Sequence, residues 1–260
     1  MIKWSIILQI LPSVKKLQTF KLCNKQRGED LEMGKLSNRI ALVTGAGTGL
    51  GRGIALTFAK EGATVILNGR REEKLREVEK EIGDGKAIVI PADLTVESEV
   101  KELYEKLKKE TGGKLDILVN NAGGVVAMGS AEDMTLQQWQ SMFDINATTQ
   151  FLATKQFLPM LRESKNGKLI SVTSGMVNFF MEGMGAYSAS KAAAEKLMKT
   201  VAVEEEKNNV QVNMFDPLNA KSEGNPDGEL EPMDIVGVLV DLAASETIVK
   251  QGEIIKPDVE

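Results

Sequence analysis

Short apolar runs alternate with longer amphipathic stretches from residue 39 almost to the end of the chain. The runs are apolar almost throughout, which is typical of strands that are buried on both faces of a parallel sheet. The predicted strands are 40–44, 63–68, 86–90, 115–120, 168–173, 210–215 and 252–256. The stretches between them carry apolar residues three or four positions apart, as at Leu75, Val78 and Ile82, which predicts helices. These are 50–61, 71–82, 96–112, helices across 135–164, one that carries Tyr187 and ends near 207, and 232–244.

Repeated strand–helix units predict an α/β fold. Because each crossover between parallel strands must be right-handed, the helices cover both faces of the sheet. We therefore expect residues 34–260 to form a single domain, a doubly wound parallel sheet of about seven strands. Within it, the segment 222–232 is short, polar and rich in turn formers. It is interpreted as a short substrate loop that leaves the active site open.

Residues 1–33 differ from the rest of the chain. They begin with an apolar run that is too short to span a bilayer. The run also lacks the long hydrophobic region and the cleavage site of a signal peptide. We interpret 1–33 as a disordered, dispensable extension, or as a mis-assigned start upstream of Met33, with a weak amphipathic anchor as the alternative.

Composition and charge exclude several kinds of chemistry. A net charge of -5 argues against a nucleic-acid partner. The absence of histidine excludes Ser-His and Cys-His catalysis, and with it we expect no metal site. Cys23 is the single cysteine, so no internal disulfide can form. Because the chain has no histidine, acid–base chemistry must use Tyr, Lys, Asp or Glu. Separately, we expect a cytoplasmic protein without a membrane span.

A glycine-rich turn, T-G-A-G-T-G-L-G at 44–51, connects the first strand to the first helix. Such a turn lets the backbone approach a pyrophosphate, which the N–H groups of the helix N-terminus bind. This placement predicts a Rossmann-type dinucleotide site, although a glycine-rich turn that binds nothing is the alternative. The predicted contacts are Gly45, Gly47, Thr48, Gly49, Leu50 and Gly51.

Residues after the second strand indicate which nucleotide binds. Where an acidic residue would bind a ribose 2′-hydroxyl, the sequence N-G-R-R at 68–71 has a glycine followed by Arg70 and Arg71. Because a guanidinium binds phosphate well, Arg70 favours NADP(H) over NAD. The alternative is that both arginines only begin a charged helix face. After the third strand, Asp93 could accept a hydrogen bond from the adenine amino group, and Leu94 lies beside it.

The segment Y-S-A-S-K places Tyr187 and Lys191 four residues apart, on one face of the predicted helix. A lysine cation would lower the pKa of the phenol, which could then exchange a proton with a carbonyl or alcohol oxygen. Ser174, after the fifth strand, could hold the same oxygen. Taken alone, a tyrosine and a lysine at this spacing are more often a surface pair.

In this order and spacing, the motifs of residues 39–258 resemble those of the short-chain dehydrogenase/reductase family. They are T-G-A-G-T-G-L-G, A-D-L-T, N-N-A-G at 120–123, Asn146 in F-D-I-N-A-T, Ser174 and Y-S-A-S-K. The resemblance implies that Tyr187 is the general acid/base, that Lys191 lowers its pKa and binds the nicotinamide ribose, and that Ser174 polarises the substrate oxygen. It implies that Asn146 holds a water in a proton relay, although the residue could simply cap a helix. Further implied cofactor contacts are Asn120, Asn121, Ala122, Gly123 and Pro217.

Two departures from the family pattern stand after the sixth strand. Leu218 replaces a glycine, and Ser222 replaces a threonine that contacts the nicotinamide carboxamide. Apolar residues nearby could wall a hydrophobic pocket or form a loop or subunit contact; these are Val125, Val126, Met128, Met176, Phe179, Phe180, Met181 and Met184.

The resemblance implies an NADP(H)-dependent oxidoreductase, a homodimer or homotetramer, that acts on a carbonyl or secondary alcohol. The substrate would be a small molecule or carrier-bound, and a 3-oxoacyl-carrier-protein reductase-like activity is the most specific prediction. A non-catalytic nucleotide-binding module, such as a redox sensor or scaffold, is the alternative.

Overall fold

The computed structural model describes residues 34–83, 85–246 and 250–258, so the predicted extension at 1–33 lies outside the described residues. Its strands are β1 Ile40–Val43, β2 Thr64–Leu67, β3 Ala87–Val89, β4 Ile117–Asn120, β5 Gly167–Val172, β6 Val210–Phe215 and β7 Ile254–Ile255. Its α-helices are α1 Gly49–Lys60, α2 Glu72–Ile82, α3 Glu97–Thr111, α4 Leu136–Phe143, α5 Thr149–Glu163, α6 Gly185–Glu205, α7 Pro232–Ile235 and α8 Gly237–Ala244.

The strands form one seven-stranded sheet in the order β3-β2-β1-β4-β5-β6-β7, and every neighbouring pair is parallel. This confirms the predicted doubly wound sheet. The strand order reverses between β1 and β4, since the chain runs outward from β1 through β2 to β3, and from β4 through to β7. A crevice opens at the carboxyl ends of the strands at such a reversal, and ligands bind there in open α/β sheets.

Helices pack on both faces because neighbouring strand residues point in opposite directions. In β1, Ala41 and Val43 join one buried apolar cluster, while Leu42 joins the other. The first cluster packs the sheet against α1, α2, α7 and α8, and the second against α3, α5 and α6. Phe58 on α1 and Phe157 on α5 are fully buried in these two layers. The two layers hold the carboxyl ends of the strands, and hence the crevice, in a fixed arrangement.

The predicted helical region 135–164 contains a turn that the sequence pattern did not reveal. Thr135 caps α4 through a reciprocal pair of bonds with Gln138, its hydroxyl accepting from the Gln138 N–H at 3.2 Å. Between α4 and α5 the backbone adopts a π-helical turn, Asp144–Thr148. Such wide turns are rare and often occur at functional sites.

Smaller differences concern the ends of elements. The predicted helix 232–244 is divided at Val236 into α7 and α8. The helix α6 ends at Glu205, and a short 3₁₀ turn continues it to Asn208. No helix among the described residues is long and apolar enough to cross a membrane.

The segment 216–231, which connects β6 to α7, contains no helix, and it includes the predicted substrate loop 222–232 except Pro232, which begins α7. Its base is closed by backbone bonds from Lys221 N to Leu230 O at 2.9 Å and from Leu230 N to Asn219 O at 3.1 Å. Its tip lies over the glycine-rich turn, where a Cβ on Gly49 would stand 3.4 Å from the Ser222 Cβ. Ser222 therefore lies against the turn and lines the cleft, and its predicted contact with the nicotinamide carboxamide stays a prediction. The predicted open active site stays a prediction.

Candidate active site

A cleft of ≈ 910 Å³ opens at the carboxyl ends of the strands, and the predicted cofactor residues lie along it. They are Gly45, Gly47, Thr48, Gly49, Leu50, Gly51, Arg70, Asp93, Leu94, Asn121, Ala122, Gly123 and Pro217. Ser174, Tyr187 and Lys191 line the same cleft. Folding thus brings predicted residues as far apart in the sequence as Gly45 and Pro217, 172 positions, to one cleft.

The glycine-rich turn has the backbone that a phosphate site requires. Gly45 and Gly49 have φ angles of 64° and 52°, in the left-handed region that favours glycine. A Cβ on Gly51 would stand 2.1 Å from the Gly45 carbonyl oxygen, so a side chain there would displace the turn. Among the described residues, no acceptor meets the N–H groups of Thr48 and Leu50. These donors at the start of α1 fit an anion such as a diphosphate.

Thr44 ties the turn to the loop after β4. Its hydroxyl accepts from the N–H groups of Asn121 and Ala122, both at 2.9 Å, and donates to Val119 O at 3.1 Å. The Asn121 amide in turn donates to Thr44 O at 2.8 Å. Asn121 and Ala122 therefore position the turn itself, and Thr44 is a positioning residue that the sequence patterns did not single out. Asn120 faces away from this network, since its amide donates to the Thr154 hydroxyl at 2.9 Å.

The two arginines after β2 differ in their surroundings. Arg70 is exposed at the cleft and makes no hydrogen bond or ion pair with the described residues. Arg71 precedes α2 and forms an ion pair with Glu223 of the 216–231 segment, at 2.6 Å. Asp93 uses one carboxylate oxygen locally, because its Oδ1 accepts from the N–H and the hydroxyl of Thr95 at 2.9 and 2.7 Å. Its predicted bond to adenine would use the other oxygen.

Ser174 and Tyr187 lie together at the carboxyl end of β5. Ser174 follows the strand and its hydroxyl accepts from Met176 N at 3.2 Å. Tyr187 stands in the first turn of α6, and its phenol lies near the Ser174 side chain. Burial raises the pKa of Tyr187 most, the Ser174 side chain opposes this, and the nearby Asp216 carboxylate raises the pKa further.

Lys191 lies one turn further along α6 and is almost fully buried. Its ammonium donates to Val172 O at 3.1 Å, and burial lowers the pKa of Lys191 to about 8. The sequence predicted that this lysine lowers the pKa of Tyr187. That role stays a prediction: in this structure the pKa of the phenol is raised, mainly by burial and further by the Asp216 carboxylate.

Asn146 lies on the π-helical turn behind the cleft and is fully buried. Its amide oxygen accepts from Gly124 N at 2.9 Å, and its nitrogen donates to Gly124 O at 2.8 Å and Met142 O at 3.0 Å. A Cβ on Gly123 would stand 2.7 Å from this amide oxygen and 3.4 Å from the Lys191 ammonium. Asn146 therefore joins the loop after β4 to the helices; its predicted role in a proton relay remains a prediction.

The cleft also carries two charged residues that sequence reasoning missed, Asp216 and Lys256. Asp216 directly follows β6, is 3% exposed, and its carboxylate lies 3.4 Å from the Lys256 ammonium. The signal that the sequence offered for Asp216 was an acidic residue directly before Pro217, at the end of an apolar strand. Of the predicted apolar wall, six residues line the cleft, namely Val125, Val126, Met176, Phe179, Met181 and Met184. Met128 and Phe180 point elsewhere, and Phe180 is 99% exposed.

Leu218 adopts the left-handed conformation that explains the glycine usual at this position. Its φ is 55°, and such a conformation costs a residue with a Cβ about 1–2 kcal/mol. The Asp216 carboxylate supports the turn by accepting from Leu218 N at 3.0 Å.

We expect Leu218→Gly to raise the free energy of unfolding by about 0.5–1 kcal/mol, because relief of the strained φ exceeds the added backbone entropy of glycine. Urea denaturation would measure the change. Leu218→Ala is the matched control, since alanine keeps the Cβ and should gain nothing. Equal stability of the glycine and alanine variants would show that the leucine side chain, and not the backbone, decides the effect.

Comparison with known proteins agrees with this geometry. Residues 39–227 match the family described as short chain dehydrogenase. An uncharacterised oxidoreductase of Staphylococcus aureus (strain MRSA252) is 34% identical over 209 residues, covering 78% of this chain and 90% of the relative.

Solved structures are similar as well. A Shigella flexneri protein assigned to the short chain dehydrogenases, solved in complex with NADP, is 30% identical with a TM-score of 0.80, covering 86% of this chain and 99% of that one. A 3-ketoacyl-(acyl-carrier-protein) reductase of Brucella melitensis, solved with NADH, is 27% identical with a TM-score of 0.80, covering 85% and 97%.

Proposed function

The chain belongs to the short chain dehydrogenase family, and from this premise we propose that it is an NADP(H)-dependent oxidoreductase that interconverts a carbonyl and a secondary alcohol. The observation that carries the proposal is the meeting of Ser174, Tyr187 and Lys191 in one cleft with the glycine-rich turn. The alternative of a non-catalytic nucleotide-binding module is disfavoured, because a module that only binds a nucleotide has no use for a phenol held against a serine hydroxyl.

The bound nicotinamide would supply or accept the hydride at its C4 position. Ser174 would donate a hydrogen bond to the substrate oxygen, and Tyr187 would give that oxygen its proton as the carbonyl becomes an alcohol. Because burial and Asp216 raise the pKa of Tyr187, the phenol keeps its proton at neutral pH, which suits the direction of reduction. Lys191 would bind the ribose hydroxyls from beneath Gly123.

Selection of NADP(H) is proposed from the residues after β2. Arg70 is exposed at the cleft without a partner among the described residues, so its guanidinium can pair with a 2′-phosphate. The N–H groups of Thr48 and Leu50 would bind the diphosphate. The relatives do not decide between the cofactors, since one similar structure holds NADP and another NADH.

For the substrate, we propose a carbonyl attached to an apolar chain, with a 3-oxoacyl thioester as the most specific candidate. Three methionines and one phenylalanine that line the cleft offer an adaptable apolar wall; they are Met176, Met181, Met184 and Phe179. The similarity to the reductase of Brucella melitensis supports the same substrate class.

We also propose a cytoplasmic homodimer or homotetramer. Phe151 on α5 and Val203 on α6 are 46% and 67% exposed. Exposed apolar residues on neighbouring helices suit a contact between subunits.

An absorbance assay tests the proposal. Purified protein is mixed with NADPH or NADH and with acetoacetyl thioesters, diketones, aldehydes, keto sugars or ketosteroids, and loss of the reduced nicotinamide band is followed. We expect faster oxidation of NADPH, with a thioester as the best substrate. Faster oxidation of NADH would overturn the role of Arg70. Bound NADPH without turnover on any carbonyl would favour the non-catalytic module.

A further inference from the structure

Glu223 places a carboxylate directly at the phosphate end of the cleft. Its Oε2 lies 2.6 Å from Arg71 Nη2, and its side chain lies near that of Thr48. The preceding residue, Ser222, lies against Gly49 of the glycine-rich turn. The tip of the 216–231 segment therefore brings its own anion to the place where the turn and the arginines offer donors to a phosphate.

The contacts of Glu223 are those that a phosphate would make. A guanidinium pairs with the carboxylate and a hydroxyl lies near it, and both kinds of group also bind phosphate oxygens. The bond from Arg71 is the largest of the effects that lower the pKa of Glu223, followed by smaller contributions that include Thr48 and Lys74, so the group is ionised at neutral pH. Arg71 is thus engaged by a negative charge, whereas Arg70, its neighbour, has no partner among the described residues.

We infer that Glu223 is a specificity-determining residue for the cofactor, because it holds Arg71 in an ion pair and competes with the 2′-phosphate of NADP for that guanidinium. The inference rests on the proposed use of NADP(H). In this arrangement Arg70 is the resident 2′-phosphate ligand, and Arg71 becomes a second one only when Glu223 leaves it. The carboxylate therefore weakens the preference for NADP over NAD.

The exchange requires little energy. The side chains of Arg71 and Glu223 are 50% and 59% exposed, and ion pairs at such exposure contribute little to stability. Glu223 lies within a tip that Ser222 and Asn225 close by two backbone bonds of 3.1 Å, so only its side chain has to leave Arg71 while the backbone stays in place. A competing phosphate can therefore displace the carboxylate without unfolding the segment.

Binding of two nucleotides that differ in the position of a phosphate tests this competition without any turnover. The probes are adenosine 2′,5′-bisphosphate, which carries the 2′-phosphate, and ADP, which carries only the diphosphate; calorimetry gives both dissociation constants. We expect Glu223→Gln to lower the Kd of the bisphosphate about threefold to tenfold and the Kd of ADP about twofold or less. The gain should shrink at high salt, because exposed charges are screened.

Glu229→Gln is the matched control. Glu229 is an exposed carboxylate on the same segment, and its side chain makes no ion pair with the described residues. The Glu229→Gln variant removes the same charge as Glu223→Gln and should leave both Kd values unchanged. In an Arg71→Gln background, Glu223→Gln should no longer tighten the bisphosphate, since the guanidinium that it releases is gone.

Three results would overturn the inference: an unchanged or raised Kd of the bisphosphate in Glu223→Gln, equal tightening of both nucleotides, or the same gain in Glu229→Gln. The wild-type protein separately tests the proposed function. If it binds NADH more tightly than NADPH, the proposed cofactor is wrong, whereas the ratio between variant and wild type still decides the role of Glu223.

Discussion

Replacing Tyr187 with phenylalanine is expected to lower kcat by about 10²- to 10⁴-fold, the usual contribution of a positioned general acid. The phenol is the acidic hydroxyl that Ser174 contacts in the cleft, and phenylalanine keeps the ring but removes the proton that the substrate oxygen receives. Affinity for NADPH should be unchanged, because the turn at 44–51 and Arg70 do not contact the phenol. Steady-state kinetics with the best carbonyl of the panel, together with calorimetric titration of NADPH, would measure both quantities.

Tyr104→Phe is the control for this variant. Tyr104 is the other tyrosine of the chain, lies on α3, and packs its ring 5.9 Å from that of Phe157, remote from the cleft. It should retain full activity. If Tyr187→Phe is also fully active, Tyr187 is not the general acid, and the proton must come from another group.

Replacing Lys191 with methionine is expected to lower kcat/KM by about 10²-fold or more while the protein becomes no less stable. The loss follows because the ammonium beneath Gly123 would no longer hold the ribose and support the charge that develops on the oxygen. Stability should be unchanged or rise by about 1–3 kcal/mol, since a buried cation is replaced by an apolar side chain of similar size. Val172 O keeps a second donor, the Gln150 amide at 3.3 Å.

The pH dependence of stability has a defined sign. Burial lowers the pKa of Lys191 to about 8, below its ordinary value of 10.5. Below about pH 8 the lysine is charged in both states, so the native state bears the whole cost of burying the charge. Between about pH 8 and 10.5 only the unfolded state binds the proton, so this cost falls as the pH rises. The advantage of the Lys191→Met variant in unfolding free energy should therefore be largest near neutral pH and vanish near pH 10.5.

Lys168→Met is the matched control for activity. Lys168 is a second buried lysine whose pKa is lowered to about 8, mainly by burial, and it lies at the opposite end of β5. Its ammonium donates to the Gln211 side chain and to Ser245 O, away from the cleft. This variant should keep its catalytic activity. If both lysine variants lose activity to the same extent, the effect comes from disturbing β5, and Lys191 has no special role.

Much of this fold follows from patterns that are local in the sequence. Each apolar run from Ile40 to Ile255 became a strand, because a run that is apolar on both faces can be buried only inside a layered sheet. The glycine-rich turn and the residues Ser174, Tyr187 and Lys191 could be placed at one edge, since the carboxyl ends of parallel strands meet there. The positive φ of Leu218 also agrees with the family pattern, which has a glycine at this position.

The sequence by itself therefore determined the sheet, its two helical layers and the meeting of the glycine-rich turn with Ser174, Tyr187 and Lys191. Only the tertiary structure decided the direction of the Tyr187 pKa, the π-helical turn that holds Asn146, and the pairing of Arg71 with Glu223. The physical reason is that burial and charge act through space. Arg71 and Glu223 are 152 positions apart, and Asp216 acts on a phenol that belongs to another element. Periodicity along the chain shows which face of an element is apolar. The electrostatic potential at one atom, and hence the pKa of a group, depends on every group that folding brings near it.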